Sequence, residues 1–447
     1  MYDWATLLWR RICALSYLTQ DLILYLLAAV FAILNGVATS HADYREWGIM
    51  AFVAYVVASL IIGLALARRR RHEISSMAIR HLRVGVVFFL TITAVLVPLL
   101  SELTWRATGT ENAHAQQEVA VIERAGDRVA LGTNPYPKNP TNFGINPSSD
   151  AHNVDNDSYF PYLPGMAVFG LLNATTLPHE LGDARVLLVA GAIIIFLVAL
   201  HLTRASPERK ILALQFFMVL PTGALPMVTG GDDLPVIALM ALSLVLLVRR
   251  APLAAGLVAA VACSLKLTAW PIALLSLFVT HGLRDDRSQR RYLLGLALLV
   301  PIVVFGAIGN EHAFIENALR FPLGLTKVKS PAASPLLGQF LVTLVPHDRR
   351  AITLVLALVG LVIVGVALVK FPPRTVVSVT RFAAFVLCVA TVLAPATRFG
   401  YLVYPTVLYV WSYVLTGYDQ PRIDDGRGSA GGLASIRDLE ETKSKGA

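Results

Sequence analysis

Charge is what this chain has least of. Of its 447 residues only 15% are Asp, Glu, Lys or Arg, against 56% that are hydrophobic. Soluble domains carry about a quarter charged residues, so an ordinary soluble fold is excluded. Cysteine is scarce too. Cys13, Cys263 and Cys388 are the three present, two of them inside apolar runs, and they offer neither metal-ligand spacing nor a disulfide framework. No cleavable signal peptide is evident, because the first apolar run starts near Asp21 without a small-residue cleavage site beside a short core. An internal repeat is also lacking, which weighs against a transporter built from matching halves.

What the chain has instead is a series of apolar runs, many of about 20 residues, the length that crosses a bilayer, and two shorter ones on either side of Lys266. Three come first, near 21–39, 47–67 and 84–103, and nine follow near 185–202, 211–228, 234–248, 252–265, 268–280, 292–308, 351–369, 376–394 and 401–416. The prediction is an all-α polytopic membrane protein of about twelve spans. The net charge of +9 fits cytoplasmic-loop bias better than a nucleic-acid surface. Arg68 to Arg71, Arg80, Arg83, Arg204, Arg209, Lys210, Arg249, Arg250 and Lys370 then fall on one side, with both chain ends. The apolar piece 159–174 carries Pro161, Pro164, Gly165 and Gly170, and is read as re-entrant because a full span would put the Arg204 loop on the wrong side. Three regions result: 1–83 with two additional spans, a membrane module over 84–416 with outer loops 104–184 and 310–350, and a polar, disordered tail over 417–447.

The outer side collects the unusual residues. Asp232 and Asp233 stand in TGGDDLP, Lys266 in SLKLTAWP, His312, Arg320, Lys327 and Lys329 in the 310–350 loop, and Arg398 in APATRFGYLVYP. Singly each has a plain reading: a helix-capping Asp, a snorkelling Lys, a solvated His. Together the cations run against the positive-inside bias, and an anionic ligand at the outer leaflet would explain them. The longest polar stretch, Glu118 to Pro164, opens with EVAVIERAGDRVALGTNPYP. At helical spacing Glu118 shares a face with Ile122, Ala125 and Val129, while Glu123 and Asp127 point away, which predicts an interfacial helix with one acid on its apolar face. Equally, Glu118 is placed as a first-turn acid against the helix dipole.

These stretches resemble the GT-C glycosyltransferases, in particular the polyprenol-phosphate-mannose branch. Glu118 takes the acidic position, Gly132-Thr133-Asn134-Pro135-Tyr136 the turn, and Tyr159-Phe160-Pro161-Tyr162-Leu163-Pro164 the re-entry. Gly256, Lys266 and Pro271 match the later Gly- and Ala-rich helix, whereas TGGDDLP and the Glu in place of Asp depart from the pattern. The resemblance implies inverting transfer of a sugar, mannose with arabinose as competitor, from a polyprenyl-phosphate donor to a cell-envelope glycolipid or glycan. It places the protein in the plasma (inner) membrane with its site on the extracytoplasmic face.

Such chemistry needs a base for the acceptor hydroxyl and positive charge for the departing phosphate. The base is Glu118 or Glu111. Lys266, Arg398, Arg320, Lys327, Lys329 and His312 are the candidates for the phosphate, and Tyr136, Tyr159, Tyr162, Asp232, Asp233 and Tyr401 for sugar or acceptor. Asp155, Asp157, Asp232 and Asp233 are oxygen donors suited to a hard cation, but the resemblance implies no metal and no cofactor. The competing class is a polytopic transporter or lipid-linked-sugar flippase without glycosyl transfer.

Overall fold

The computed structural model describes residues 16–109, 114–140, 158–282, 286–328 and 330–416. Glu111, Asp155, Asp157, Lys329 and the 417–447 tail lie outside them. The described chain is mostly helix, and extended pairing among these residues is confined to one isolated bridge between Ala333 and Thr397. In chain order the helices are α1 (Tyr17–Ala38), α2 (Ala42–Arg69), α3 (Ser76–Thr108), α4 (Gln117–Ala130), α5 (Ala184–His201), α6 (Pro207–Thr229), α7 (Asp233–Val248), α8 (Pro252–Leu265), α9 (Leu267–Thr280), α10 (Asp286–Ala307), α11 (Arg349–Lys370), α12 (Val376–Leu393) and α13 (Phe399–Leu415). Short turns of helix, among them a 3₁₀ segment at Pro164–Gly170, fill the loops.

Eight of these (α1, α2, α3, α5, α6, α10, α11 and α12) are long and apolar enough to cross a membrane, so the protein is an all-α polytopic membrane protein. The expected count of about twelve differs from eight by the four shorter apolar helices α7, α8, α9 and α13. Their shortness has one cause. Each has an end at a polar break: α7 starts at Asp233, α8 stops before Lys266, α9 starts after it, and α13 starts after Arg398. Helices α7 and α8, of 16 and 14 residues, reach about 24 and 21 Å at 1.5 Å per residue, short of a hydrocarbon core of about 30 Å.

Contacts sort the helix ends into two sets. At one end Arg80 pairs with Glu208 at 3.0 Å, Arg249 donates to the Leu202 carbonyl, and Arg209 donates to Thr416. At the other lie the starts of α2, α4, α5 and α7 and the break around Lys266. The basic loops picked out by sequence thus stand at the end opposite Glu118.

The two N-terminal helices are packed into the module, and the reason lies in broken backbone ladders. Pro98 has no N–H for the Ala94 carbonyl four residues back, and in hydrocarbon that carbonyl needs another donor. The Trp47 indole of α2 supplies it at 3.0 Å. Likewise the Val219 carbonyl, at the interruption in α6, accepts from the Tyr55 hydroxyl at 2.6 Å. On α1, Asp21 holds Arg83 of α3 through two hydrogen bonds of 2.6 and 3.0 Å, and Gln215 of α6 donates to Asp21 and to Tyr25.

Helix α4 departs from its predicted setting. Every residue from Glu118 to Asp127 is buried, so the helix is covered on both faces and does not float at an interface. The acids read as solvent-facing have buried partners: Glu123 chelates Arg106 at 2.7 Å on each oxygen, and Asn173 donates to Asp127. Close approach to the 3₁₀ segment is possible because two glycines face each other. A Cβ on Gly126 would lie 2.2 Å from the Gly170 carbonyl carbon.

Candidate active site

Glu118 stands in the first turn of α4, and the start of that helix is tied down on two sides. The Gln116 backbone N–H donates to the Thr229 carbonyl, and its side-chain amide donates to Thr229 and to the Tyr44 hydroxyl at 2.9 and 2.6 Å. Arg398 comes from the far end of the chain. Its neighbour Thr397 exchanges backbone hydrogen bonds with Ala332 and Ser334, and the Phe399 N–H donates to the Ser334 hydroxyl. The 310–350 loop thus sets Arg398 where its guanidinium meets the Glu118 carboxylate at 2.6 Å.

That pair is half used. One carboxylate oxygen of Glu118 holds Arg398, while Oε2 is buried and has no hydrogen-bond partner among the described residues. A buried, unpartnered carboxylate oxygen is an expensive feature, of the kind that marks a binding position. The Arg398 side chain keeps 26% of its exposure, so its remaining N–H groups can reach a ligand. Burial works against the charge on Arg398, but the Glu118 carboxylate outweighs it and raises the guanidinium's pKa above its ordinary value.

Beside the pair, Lys266 occupies the extended break between α8 and α9. Its ammonium donates to Asp232 at 2.7 Å and to Asp233, whose other contact is the Tyr404 hydroxyl at 2.7 Å. Gly231, at φ +76°, makes the turn that presents both acids, a conformation that favours glycine. Two rings flank the ammonium, Tyr162 at 5.3 Å and Tyr401 at 5.4 Å to the ring centroids. Burial alone would lower the Lys266 pKa, and the two carboxylates more than reverse that. For Tyr162, burial and then Asp232 push the phenol well up, with Lys266, Glu118 and Tyr401 acting on it as well. Glu118, Arg398, Lys266, Asp232, Tyr162 and Tyr401 therefore form one electrostatic unit.

The remaining predicted residues fall elsewhere. Tyr136 is buried: its hydroxyl donates to the Tyr162 carbonyl at 2.9 Å and its ring packs on Phe160 and Phe314, so it supports the re-entry segment. Tyr159 stacks on Phe321 at 4.3 Å. Arg320 pairs with Glu316 one turn earlier, and His312 and Lys327 are exposed in the same loop. Lys266 is drawn into the cluster, but two carboxylates already neutralise its charge.

Several site-building residues escaped the sequence reading. Tyr404 and Gln116 are single polar residues in otherwise ordinary contexts. Arg106 and Asp183 fall in the 104–184 loop and Arg185 at the edge of the next apolar run, so none of them carries a local signal. Asp183 accepts from Arg106 at 2.5 Å and from Arg185 at 2.8 Å, and Glu123 accepts from the Ala184 N–H, so α3, α4 and α5 are pinned together. Burial tends to raise the Asp183 pKa, but Arg185 and Arg106 dominate and hold it below the usual carboxylate range. A small cleft opens beside this knot, lined by Leu103, Arg106, Gly109, Asn173, His179 and Asp183 among others. It lies along the Glu123 face of α4, away from Glu118, and its acids are already engaged.

Residues 124–282 match the family model of the alpha-(1->6)-mannopyranosyltransferase N-terminal domain. The matched segment starts just after Glu118 and takes in Tyr162, Asp232, Asp233 and Lys266, leaving Glu118 and Arg398 outside. It supports a GT-C mannosyltransferase, and with it mannosyl transfer. No curated protein and no solved structure matched the chain.

Proposed function

We propose that the protein transfers a mannosyl residue, with inversion, from a polyprenyl-phosphate donor to a cell-envelope glycolipid or glycan, at the Glu118 end of the bundle. The family match favours mannose over arabinose. The observation that carries the mechanism is the Glu118–Arg398 pair, with one carboxylate oxygen committed and the other open. The acceptor hydroxyl donates to Oε2 of Glu118 and attacks the anomeric carbon. As the new C–O bond forms, the bond to the phosphate oxygen breaks, the proton passes to Glu118, and polyprenyl phosphate leaves with the electron pair. Arg398 is the counter-charge for that leaving group, since a guanidinium can engage phosphate with two N–H groups. Lys266 is reassigned: held by Asp232 and Asp233, it fixes the acids and the rings of Tyr162 and Tyr401 around the sugar and has no spare charge for a phosphate. In this reading the unit lies where the short helices end, and an isoprenoid tail lies between helices while its head group reaches the cluster. Opposite the basic loops, that end is on the extracytoplasmic side by the positive-inside rule.

The test is transfer from radiolabelled polyprenyl-phosphate mannose in membranes carrying the parent protein or Glu118→Gln. Loss of labelled product with the same amount of folded protein supports the reading. Transfer at the parental rate would sink it, as would transfer only from a nucleotide-linked sugar.

A further inference from the structure

A second cluster of ionisable groups lies near the start of α4, and the transfer mechanism makes no use of it. Glu46 of α2, Glu102 of α3 and His114, four residues before Glu118, each offer one ligand atom, and the three atoms all lie within 4.8 Å of one another. His114 Nδ1 is 3.0 Å from a Glu46 oxygen and 3.1 Å from a Glu102 oxygen. One ring nitrogen carries at most one proton, so it cannot fully satisfy two carboxylates at once. The second observation is independent. The Glu102 side chain has no exposure at all, and its other oxygen, Oε1, has no hydrogen-bond partner among the described residues. Two carboxylates brought together around one imidazole nitrogen, with an orphaned buried oxygen beside them, form a set that a cation would complete. Arg185 reaches the His114 carbonyl, but the rest of its guanidinium is spent on Asp183 and on the Val228 carbonyl.

We propose that Glu46, Glu102 and His114 form a binding site for a divalent transition metal, zinc by preference, that clamps the start of the Glu118 helix to α2 and α3. One imidazole with two carboxylates is a mixed nitrogen and oxygen set of the type zinc takes. Zinc bonds of about 2.0–2.1 Å in tetrahedral geometry set ligand atoms roughly 3.3 Å apart, close to the two observed His–Glu separations. Calcium would want six to eight oxygens, more than this site offers. The three residues come from the second N-terminal helix, the third helix and the lead-in to α4, so the metal's role is positional. It also gives the N-terminal helices a task at the site: Tyr44, two residues before Glu46, already holds Gln116.

The experiment uses the full chain in detergent, stripped with a chelator and dialysed separately against zinc, manganese, calcium and magnesium, with metal content by mass spectrometry and thermal unfolding as readouts. The expected result is one zinc per chain, a Tm several degrees higher than the stripped protein, and at least tenfold less zinc in His114→Ala and Glu46→Gln. His72→Ala, an exposed histidine at the opposite end of the bundle, keeps the parental content. Should either site variant fail to fold, the parent decides alone: saturable zinc with the Tm shift supports the site, and no saturable zinc overturns it. Equal zinc in His114→Ala, or binding of calcium or magnesium in place of zinc, overturns it too. Because the readouts are metal content and stability, failure here leaves the transferase reading standing.

Discussion

Two carboxylate–guanidinium pairs, one at each end of the bundle, show how the same chemistry is put to different use. At the basic end Asp21 holds Arg83 through both oxygens, Gln215 adds a third hydrogen bond, and the side chains are 1% and 3% exposed. At the other end Glu118 holds Arg398 through one oxygen, keeps the second unpartnered, and leaves Arg398 a quarter exposed. The first pair is closed: every acceptor on the acid is spent on bringing α1, α3 and α6 together. The second is open: the fold pays to assemble it and leaves half of it for something else. A buried ion pair is weak evidence for function by itself, since desolvation consumes most of the attraction. The difference in completion is what separates a joint from a site.

The sharpest way to break the comparison is to neutralise each acid. Glu118→Gln keeps the shape of the side chain and removes the base, so transfer should fall by about 10²–10⁴-fold, the usual contribution of a general base, while Tm moves by no more than a degree or two. A rate assay with lipid-linked mannose alongside a melting curve checks both halves. If Glu118→Gln melts far below the parent, the open pair is structural after all and the contrast collapses.

Arg83→Ala should do the reverse. Removing one partner leaves Asp21 as an uncompensated buried charge, which costs about 3–5 kcal/mol. Denaturation in detergent would register that loss, and donor KM in the surviving fraction should not change. The double variant Asp21→Leu/Arg83→Met should recover much of the stability, because it removes both charges. A double variant no better than Arg83→Ala would show that the pair contributes more than its own neutralisation.

A third effect, smaller because Asn keeps the shape and one acceptor, concerns Asp183. Its folded pKa is held below the ordinary value of 3.8, after burial, by Arg185 and Arg106. A depressed carboxylate contributes stability that is present above its unfolded pKa and is lost as pH falls through the folded value. The parent should therefore melt above Asp183→Asn at neutral pH, with the gap closing only below about pH 4 as the unfolded carboxylate takes up its proton. A gap that closed on the alkaline side would contradict the assignment.

How much of this could be read from the chain depended on whether a signal was local. The membrane spans were legible because hydropathy is a property of neighbours in sequence, and Glu118, Lys266 and Arg398 were legible as charges in the wrong place. Their partners were not. Lys266 read as a free cation because Asp232 and Asp233 lie some thirty residues away and touch it only through the fold. Glu123 and Asp127 read as solvent-facing because nothing in a 14-residue window reveals that Arg106 and Asn173 will cover them. Tyr136 stood inside the motif that carries the resemblance, yet its hydroxyl serves the Tyr162 carbonyl. Conversely, the four short helices were visible as short apolar runs, and it took their shared break points to explain why they stop early.

The finest separation between the pairs comes from changing the cation and keeping its charge. Lysine cannot make a forked contact, so Arg398→Lys should hold Glu118 through a single hydrogen bond and lose the second N–H offered to the donor phosphate. The expected effect is about a tenfold rise in donor KM, equivalent to roughly 1.4 kcal/mol, with kcat less affected and Tm unchanged. Arg83→Lys at the closed pair breaks a bidentate contact with no ligand involved, so it should lower Tm and leave donor KM where it was. The two conservative substitutions thus report on different observables. If Arg398→Lys shifts only Tm, the exposed face of that guanidinium faces lipid and not substrate, and the phosphate must be met by another cation of the 310–350 loop.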